Sequence, residues 1–295
     1  MRMKRLALVT IAAAFAATFT ACTAQAPGVA PAARPSTAGP GVHVLAQRLA
    51  MPGLGRERTL RLYLPPSYES APQRRYPVIY MHDAQNLFDD ATSFAGEWGV
   101  DETLDELART RGFEAIVVGI DNGGEERVHE LSPWTNARYG PAQGEQYMAF
   151  VVDTVKPFVD AHYRTQPGRA STAIAGSSMG GLISHYALLH YPQVFGKAAI
   201  FSPSYWYSSE VYARTKAHPW PAGTRTYFYI GGREGDESVP DVERMLPLLA
   251  TPDRAARDIT LRIEPGAEHN ERAWRAEFPR AVAWLFEVPP LPTGR

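Results

Sequence analysis

The chain has 295 residues, with 30 Lys and Arg against 31 Asp and Glu, and it contains a single cysteine. Hydrophobic residues make up 45% of it, which is typical of a packed globular protein and too high for a disordered one. The near-zero net charge argues against a nucleic-acid partner, because binding phosphates requires an excess of basic residues. One cysteine excludes an internal disulfide framework and a cysteine-rich metal cluster.

Residues 1–22 predict a signal peptide, because a basic start (residues 1–5) precedes an apolar, alanine-rich run over residues 6–21. This run is shorter than the ~20 residues that a membrane-spanning helix needs. It ends in Phe-Thr-Ala-Cys at Cys22, which resembles the lipobox of bacterial lipoproteins, whose cysteine is lipidated. We therefore expect an exported lipoprotein of the periplasm or cell envelope, attached to the membrane through Cys22. The alternative is simple cleavage after Ala24, which would give a secreted protein.

Residues 23–42 predict a tether, since they contain four prolines, three glycines and no aromatic residue. We place the start of the folded domain near His43. No second Pro/Gly-rich linker divides residues 43–295, which predicts one domain.

In that domain, strand-like and helix-like segments alternate. Short apolar runs favour strands buried on both faces of a parallel sheet. The predicted strands are Thr59–Leu64, Val78–Met81, Ala115–Ile120, Thr172–Ala175, Ala198–Phe201, Thr226–Ile230 and Ile259–Ile263. Helical patterns cover residues 100–108, 147–159 (with a kink at Pro157), 182–189 and 271–286. Repeated β–α units predict a single α/β domain with a doubly wound, mostly parallel sheet and helices on both faces.

The motif that indicates chemistry is Gly-Ser-Ser-Met-Gly-Gly at residues 176–181, between a predicted strand and a predicted helix. This is G-x-S-x-G in a strand–turn–helix context, where the serine occupies a strained turn at a helix N-terminus. Gly176 and Gly180 let strand and helix approach closely. The motif predicts Ser178 as a nucleophile, with the backbone N–H of Met179 as an oxyanion donor.

A serine nucleophile needs a base, and in this fold the chain order is nucleophile, acid, histidine. His269 has the expected position, since it follows the last predicted strand and precedes the last predicted helix. The acid is expected after the preceding strand, in the loop 231–237, which offers three carboxylates. Glu234 is the first candidate because it lies nearest the strand end, and Asp236 is the alternative.

A second oxyanion donor is expected in the loop after an early strand, where the backbone N–H of Gln85 follows the small residue Ala84. His82 and Asp83 lie in the same loop, but no partner cluster at ligand spacing makes them a metal site. We expect no metal and no organic cofactor. For the substrate, Tyr205 and Trp206 are the leading candidates to line the cleft, since aromatic walls suit an aryl or sugar-linked acyl group.

The sequence resembles the esterase family of α/β hydrolases that includes enterochelin, feruloyl and acetylxylan esterases and the mycolyltransferases. The stretches that carry this resemblance are Tyr-Met-His-Asp-Ala-Gln-Asn-Leu-Phe (80–88), Trp-Gly-Val-Asp (98–101), Val-Gly-Ile-Asp-Asn-Gly-Gly (118–124), Gly-Ser-Ser-Met-Gly-Gly (176–181), Ser-Pro-Ser-Tyr-Trp-Tyr (202–207) and His269-Asn270 with Trp274. The resemblance implies Ser178 as nucleophile, His269 as base, and the N–H groups of Met179 and Gln85 as the oxyanion hole.

The function expected from these observations is serine-dependent hydrolysis of a small-molecule or glycan-linked carboxylic ester. Two alternatives remain open. In an acyltransferase, a sugar or other alcohol rather than water would accept the acyl group. In a non-catalytic lipoprotein with the hydrolase fold, the cleft would only bind a siderophore or glycan.

Overall fold

The computed structural model describes residues 34–250 and 258–289. The predicted signal peptide (1–22), Cys22 and the first part of the predicted tether lie outside the described residues. No helix within the described ranges is long and apolar enough to cross a membrane.

The folded domain begins earlier than the predicted boundary at His43. Residues from Arg34 onward belong to the same compact unit as the rest of the described chain. The hydroxyl of Ser36 donates to Asp89 at 2.9 Å, and the backbone N–H of Gly39 donates to Asp101 at 2.8 Å. Proline and glycine content alone did not indicate these contacts, because they are made by backbone and short polar side chains that need no apolar surface.

An eight-stranded mixed sheet forms the centre of the domain, in the order β1-β4-β6-β5-β7-β8-β9-β10. The strands from β6 to β10 along this order are parallel, whereas β1 and β4 pair antiparallel at one edge. A separate hairpin is formed by β2 and β3. The strands are β1 Val42–Val44, β2 Leu49–Met51, β3 Arg56–Arg58, β4 Leu60–Tyr63, β5 Val78–His82, β6 Ile116–Ile120, β7 Thr172–Ser177, β8 Lys197–Phe201, β9 Arg225–Gly231 and β10 Ile259–Glu264.

Helices cover both faces of the sheet, which confirms the predicted fold class. They are α1 Val100–Arg111, α2 Arg127–Glu130, α3 Gly144–Phe150, α4 Lys156–His162, α5 Met179–His190, α6 Glu210–Ala217, α7 Ser238–Leu249 and α8 Glu271–Leu285. Side chains of α1 and α8 join one buried apolar cluster, and those of α3, α5, α6 and α7 join another. The two clusters lie on opposite faces because alternate residues of a strand point to opposite sides.

All of the predicted strands and helices are present. Instead of a simple kink at Pro157, the helical segment contains a π-helical turn, Val151–Val155, which joins α3 to α4. Pro157 lies in the first turn of α4, where its missing N–H costs little. The wider π turn relieves the crowding that a proline ring imposes on the preceding turn.

Candidate active site

The candidate site lies where neighbouring parallel strands end. The carboxyl ends of β5, β7, β8, β9 and β10 share one edge of the sheet, which is where ligands bind in open α/β folds. The loops that leave these ends carry, in sheet order, Gln85, Ser178, Ser202, Glu234 and His269. The sheet therefore brings together residues that lie far apart in the sequence.

Ser178 occupies the sharp turn between β7 and α5. Its backbone has φ 58° and ψ −121°, a left-handed conformation that is rare for a residue with a side chain. The N–H of Ser178 donates to the carbonyl of Phe201 at 3.0 Å, which ties the turn to the neighbouring strand β8. The Ser178 hydroxyl lies 3.2 Å from that of Ser204. At the N-terminus of α5, the helix dipole favours negative charge that develops near this serine.

Two glycines allow the turn to form: Gly176, as predicted, and Gly181 in place of the predicted Gly180. A Cβ added at Gly176 would lie 2.8 Å from the carbonyl carbon and oxygen of Gly180, so only glycine fits there. A Cβ at Gly180 would lie 3.4 Å from Asp83 and His82, which is ordinary van der Waals contact. The second tight approach is at Gly181, whose added Cβ would lie 2.9 Å from the Phe201 carbonyl oxygen.

His269 and Glu234 are in direct contact. Nδ1 of His269 lies 2.8 Å from Oε2 of Glu234. The Glu234 side chain is only 2% exposed, whereas the His269 side chain is 41% exposed. A buried carboxylate on Nδ1 fixes the orientation of the ring and leaves Nε2 for a second partner. Asp236, the alternative acid, is exposed.

The two predicted oxyanion donors lie on neighbouring strand ends. Met179 is the first residue of α5, and N–H groups at that position have no partner within the helix. Gln85 lies in a short 3₁₀ turn, Ala84–Asn86, directly after β5. Its side-chain amide donates to the carbonyl of Asn122 at 3.2 Å and accepts from the N–H of Asn122 at 3.0 Å. This paired amide contact holds the loop against the end of β6.

A buried ion pair also supports the Gln85 loop. Asp83 has φ 58°, is 7% exposed and accepts from Nε and Nη2 of Arg127 at 2.6 and 2.9 Å. The Asn122 amide donates to the same carboxylate at 2.8 Å. Burial opposes ionisation of Asp83, but the charge and hydrogen bonds of Arg127 outweigh it and hold the pKa of Asp83 below its ordinary value. Sequence reasoning considered Asp83 only as a metal ligand and missed this pair.

His82, the last residue of β5, is buried and contacts another core side chain. Its Nδ1 lies 2.8 Å from the Tyr147 hydroxyl, and burial lowers the pKa of the imidazole to about 4. The ring is therefore neutral near pH 7. Within residues 34–250 and 258–289, no group of three or more His, Cys, Asp or Glu side chains is arranged to hold a metal ion.

A pocket of about 840 Å³ lies at this edge of the sheet. Ser178 and His269 both line it, together with Gln85 and Arg127. The aromatic residues in its lining are Phe94, which is 91% exposed, and Trp274, which is buried. Its walls combine the cation of Arg127, the carboxylates of Asp83 and Glu271 and several amides with these two rings.

The two aromatic residues predicted for the cleft do not line this pocket. Tyr205 is 1% exposed, and its hydroxyl lies 2.6 Å from Nδ1 of the buried His185. Trp206 is 60% exposed and packs edge-on against Tyr139. The prediction was wrong for Tyr205 because position after β8 does not determine the direction of a side chain. The backbone turn that follows Ser204 directs the tyrosine into the core.

Comparison with known proteins identifies the family. The model of the family described as "Putative esterase" matches residues 52–285. The chain belongs to this esterase family. It is accordingly a carboxylic ester hydrolase by family, and the matched segment includes every strand-end residue of the candidate site.

Two individual relatives are similar over two thirds or more of this chain. The uncharacterized protein YbbA of Bacillus subtilis is 28% identical over 242 residues, which cover 78% of this chain and 92% of YbbA. The iron(III) salmochelin esterase of Escherichia coli O6:H1 is 26% identical over 215 residues, which cover 67% of this chain and 47% of that enzyme. The chain thus spans about half the length of the salmochelin esterase.

A solved structure confirms the fold. The IroE-like serine hydrolase from Shewanella oneidensis superposes with a TM-score of 0.68 at 18% identity, and the match covers 83% of this chain and 80% of that one. At this level of identity the likeness concerns the arrangement of strands and helices alone.

Proposed function

We propose that this protein is an exported serine esterase that hydrolyses carboxylic esters through an acyl-enzyme on Ser178. The observation that carries the proposal is the 2.8 Å contact between His269 Nδ1 and Glu234 Oε2, beside a pocket that Ser178 also lines. A nucleophile in a strained turn, a buried carboxylate and a histidine, in this chain order, form the arrangement on which serine hydrolases of this fold depend.

In the proposed reaction, the Ser178 hydroxyl turns from Ser204 toward Nε2 of His269 and attacks the ester carbonyl. His269 accepts the proton and then delivers it to the departing alcohol. Water, activated by the same imidazole, hydrolyses the acyl-enzyme. Glu234 keeps the proton of the neutral ring on Nδ1 and stabilises the imidazolium that forms in each half-reaction.

The backbone N–H groups of Met179 and Gln85 are the proposed donors to the tetrahedral oxyanion. Each such donor contributes on the order of 3 kcal/mol to lowering the barrier. The contribution of Gln85 requires a rigid loop, since a donor that moves by an ångström loses much of its effect. The Asn122 amide contacts and the Asp83–Arg127 pair supply that rigidity.

The test is a hydrolysis screen with the wild type and Ser178→Ala. The panel contains p-nitrophenyl acetate, feruloyl and acetyl sugars, and siderophore lactones, the last because one relative is a salmochelin esterase. We expect the wild type to hydrolyse at least one ester and Ser178→Ala to lose this activity by about 10⁴-fold or more. Equal rates for the two proteins would refute the proposal.

Two further experiments distinguish ester hydrolysis from acyl transfer and from ligand binding without catalysis. If an acyltransferase were the correct assignment, adding a sugar alcohol would divert the acyl group from free acid to a new ester. If the cleft only bound its ligand, a fluorophosphonate probe would leave Ser178 unlabelled. We expect free acid as the main product and labelling at Ser178.

Export and lipidation are part of the proposal, on the strength of the sequence around Cys22. Full-length protein produced in a bacterium is expected to partition with membranes and to incorporate labelled palmitate. The Cys22→Ser variant should lose both properties and keep its esterase activity, because Cys22 lies far in the chain from the catalytic residues. A variant that still partitions with membranes would contradict lipidation at Cys22.

A further inference from the structure

Ser202 and Trp274 lie beside the candidate triad, and the proposed mechanism gives neither of them a role. Ser202 follows β8 directly, and Trp274 lies in the first turns of α8. Both are buried, at 2% and 5% exposure. Ser202 has φ 43°, one of the few left-handed non-glycine conformations among the described residues. Strain of this kind persists where surrounding contacts require it, and it occurs often at functional sites.

The Ser202 hydroxyl connects Trp274 to Glu234. Nε1 of Trp274 donates to Ser202 Oγ at 2.8 Å, and Ser202 Oγ donates to Glu234 Oε1 at 2.6 Å. The backbone N–H of Gly231 donates to the same carboxylate oxygen at 2.7 Å. Oε1 of Glu234 is therefore held by two donors, while Oε2 receives His269.

The direction of these hydrogen bonds is fixed by chemistry. An indole nitrogen only donates, so it occupies a lone pair of Ser202. The single proton of the Ser202 hydroxyl is then available for Glu234. Oε1 accepts both of these hydrogen bonds, and an ionised carboxylate can only accept a further one at Oε2. Nδ1 of His269 then donates to Oε2, and Nε2 keeps the lone pair that a general base needs.

Trp274 also contacts His269 directly, so the first and last residues of this series of contacts touch each other. The ring of Trp274 packs edge-on against that of His269, with 5.0 Å between the centroids and 86° between the planes. Trp98 contacts the other side of Trp274, at 5.6 Å between centroids. Trp274 thus limits the motion of the imidazole directly and fixes the carboxylate through Ser202.

We propose that Ser202 and Trp274 are positioning residues that set the tautomer and orientation of His269 through Glu234. This inference rests on the proposed function and adds to it a relay, Trp274 N–H to Ser202 O–H to Glu234 to His269. The relay predicts that the effects of changing Ser202 and Glu234 on kcat are not additive. Loss of the Ser202 hydroxyl matters to catalysis only while Glu234 is present to be positioned.

The experiment is a double-mutant cycle. Ser202→Gly removes the hydroxyl and suits the positive φ, so it avoids the strain that another residue would suffer there. Trp274→Phe removes the indole N–H and keeps an aromatic ring against His269. Each is combined with Glu234→Ala, or with Glu234→Gln if the alanine variant does not fold. Rates with p-nitrophenyl acetate are measured together with labelling by a fluorophosphonate and with the melting temperature.

We expect Ser202→Gly and Trp274→Phe each to lower kcat about tenfold. For Ser202→Gly, KM should change less than twofold, since Ser202 does not line the pocket, whereas Trp274 does and its replacement can also alter KM. In the Glu234 background, the same changes should lower kcat less than twofold. A matched control is Ser132→Ala, which removes a fully buried hydroxyl that donates to the Trp134 carbonyl at 2.7 Å. It should leave kcat unchanged.

Equal losses in the presence and absence of Glu234 would overturn the relay, as would a kcat for Ser202→Gly within twofold of the wild type. Either result would leave the proposed esterase mechanism intact, provided that Ser178→Ala is inactive. Failure of the wild type to react with either reagent would instead refute the proposed function and the relay together.

Discussion

Replacing Arg127 with Met would leave the buried carboxylate of Asp83 without its counter-ion. Removing one partner of a buried ion pair costs about 3–5 kcal/mol. Arg127 is 28% exposed and Asn122 still donates to Asp83, so we expect the lower end, about 3 kcal/mol. For a domain of this size that corresponds to a fall in melting temperature of about 6–10 °C.

The loss should depend on pH with a defined sign. In the wild type, the pKa of Asp83 is below its ordinary value, so its ionisation stabilises the fold above pH ~4 and this contribution is lost as the pH falls through the folded value. Without Arg127, burial is opposed mainly by the Asn122 hydrogen bond, so the balance moves toward the protonated form of Asp83 in the folded state. The difference in stability between wild type and variant should therefore shrink between pH 7.5 and pH 4.5.

The assay is urea unfolding followed by tryptophan fluorescence at both pH values. Arg109→Met serves as the control, because the Arg109–Glu106 pair is exposed and contributes at most about 1 kcal/mol. The double variant Asp83→Asn/Arg127→Met should recover much of the loss, since it removes the buried charge. A loss for Arg127→Met no larger than the control, or one independent of pH, would refute this reasoning.

Two further predictions follow from the buried histidine and the glycine turn. Burial lowers the pKa of His185 to about 3 against ~6.5 in the unfolded chain, so acidification from pH 7.5 to pH 5 should cost about 2 kcal/mol. Urea unfolding of His185→Gln should have a flatter pH dependence, and an unchanged slope would contradict this. Gly176→Ala should abolish esterase activity, because its Cβ would lie 2.8 Å from Gly180 backbone atoms. Gly168→Ala, with nothing within 4 Å, should behave as wild type in the same assay.

The inner strands of the main sheet, β5 to β9, were predictable because each contains a short apolar run between turn residues. The edge strand β1 and the hairpin of β2 and β3 were not. β3 reads Arg-Glu-Arg, and its pairing with β2 depends on backbone hydrogen bonds that no side-chain pattern indicates. α7 contains Pro240 in its first turn and Pro247 in its interior, so its sequence indicates a break where the structure continues the helix. Tertiary packing of Val242, Met245 and Leu249 outweighs that local penalty.

Some residues of the candidate site could likewise be predicted from the sequence, and others could not. Ser178 and His269 could be predicted because the motif and the chain order restrict each to one position. Glu234 could only be ranked above Asp236, since a loop with three carboxylates does not indicate which side chain turns inward. In the structure, Glu234 is the residue that contacts His269, whereas Asp236 is exposed. The aromatic lining was predicted least well, because a residue next to a strand end can point into the pocket or into the core.

Ser202 illustrates why supporting residues escape sequence reasoning even within a recognised motif. Its partners Glu234 and Trp274 are 32 and 72 positions away along the chain. Their meeting depends on β8 and β9 being neighbours and on the packing of α8 against both. A hydroxyl that only accepts from one buried donor and donates to one buried acceptor leaves no signature in composition or periodicity. The order of the strands, rather than any local pattern, therefore determines how strictly the proposed base His269 is held.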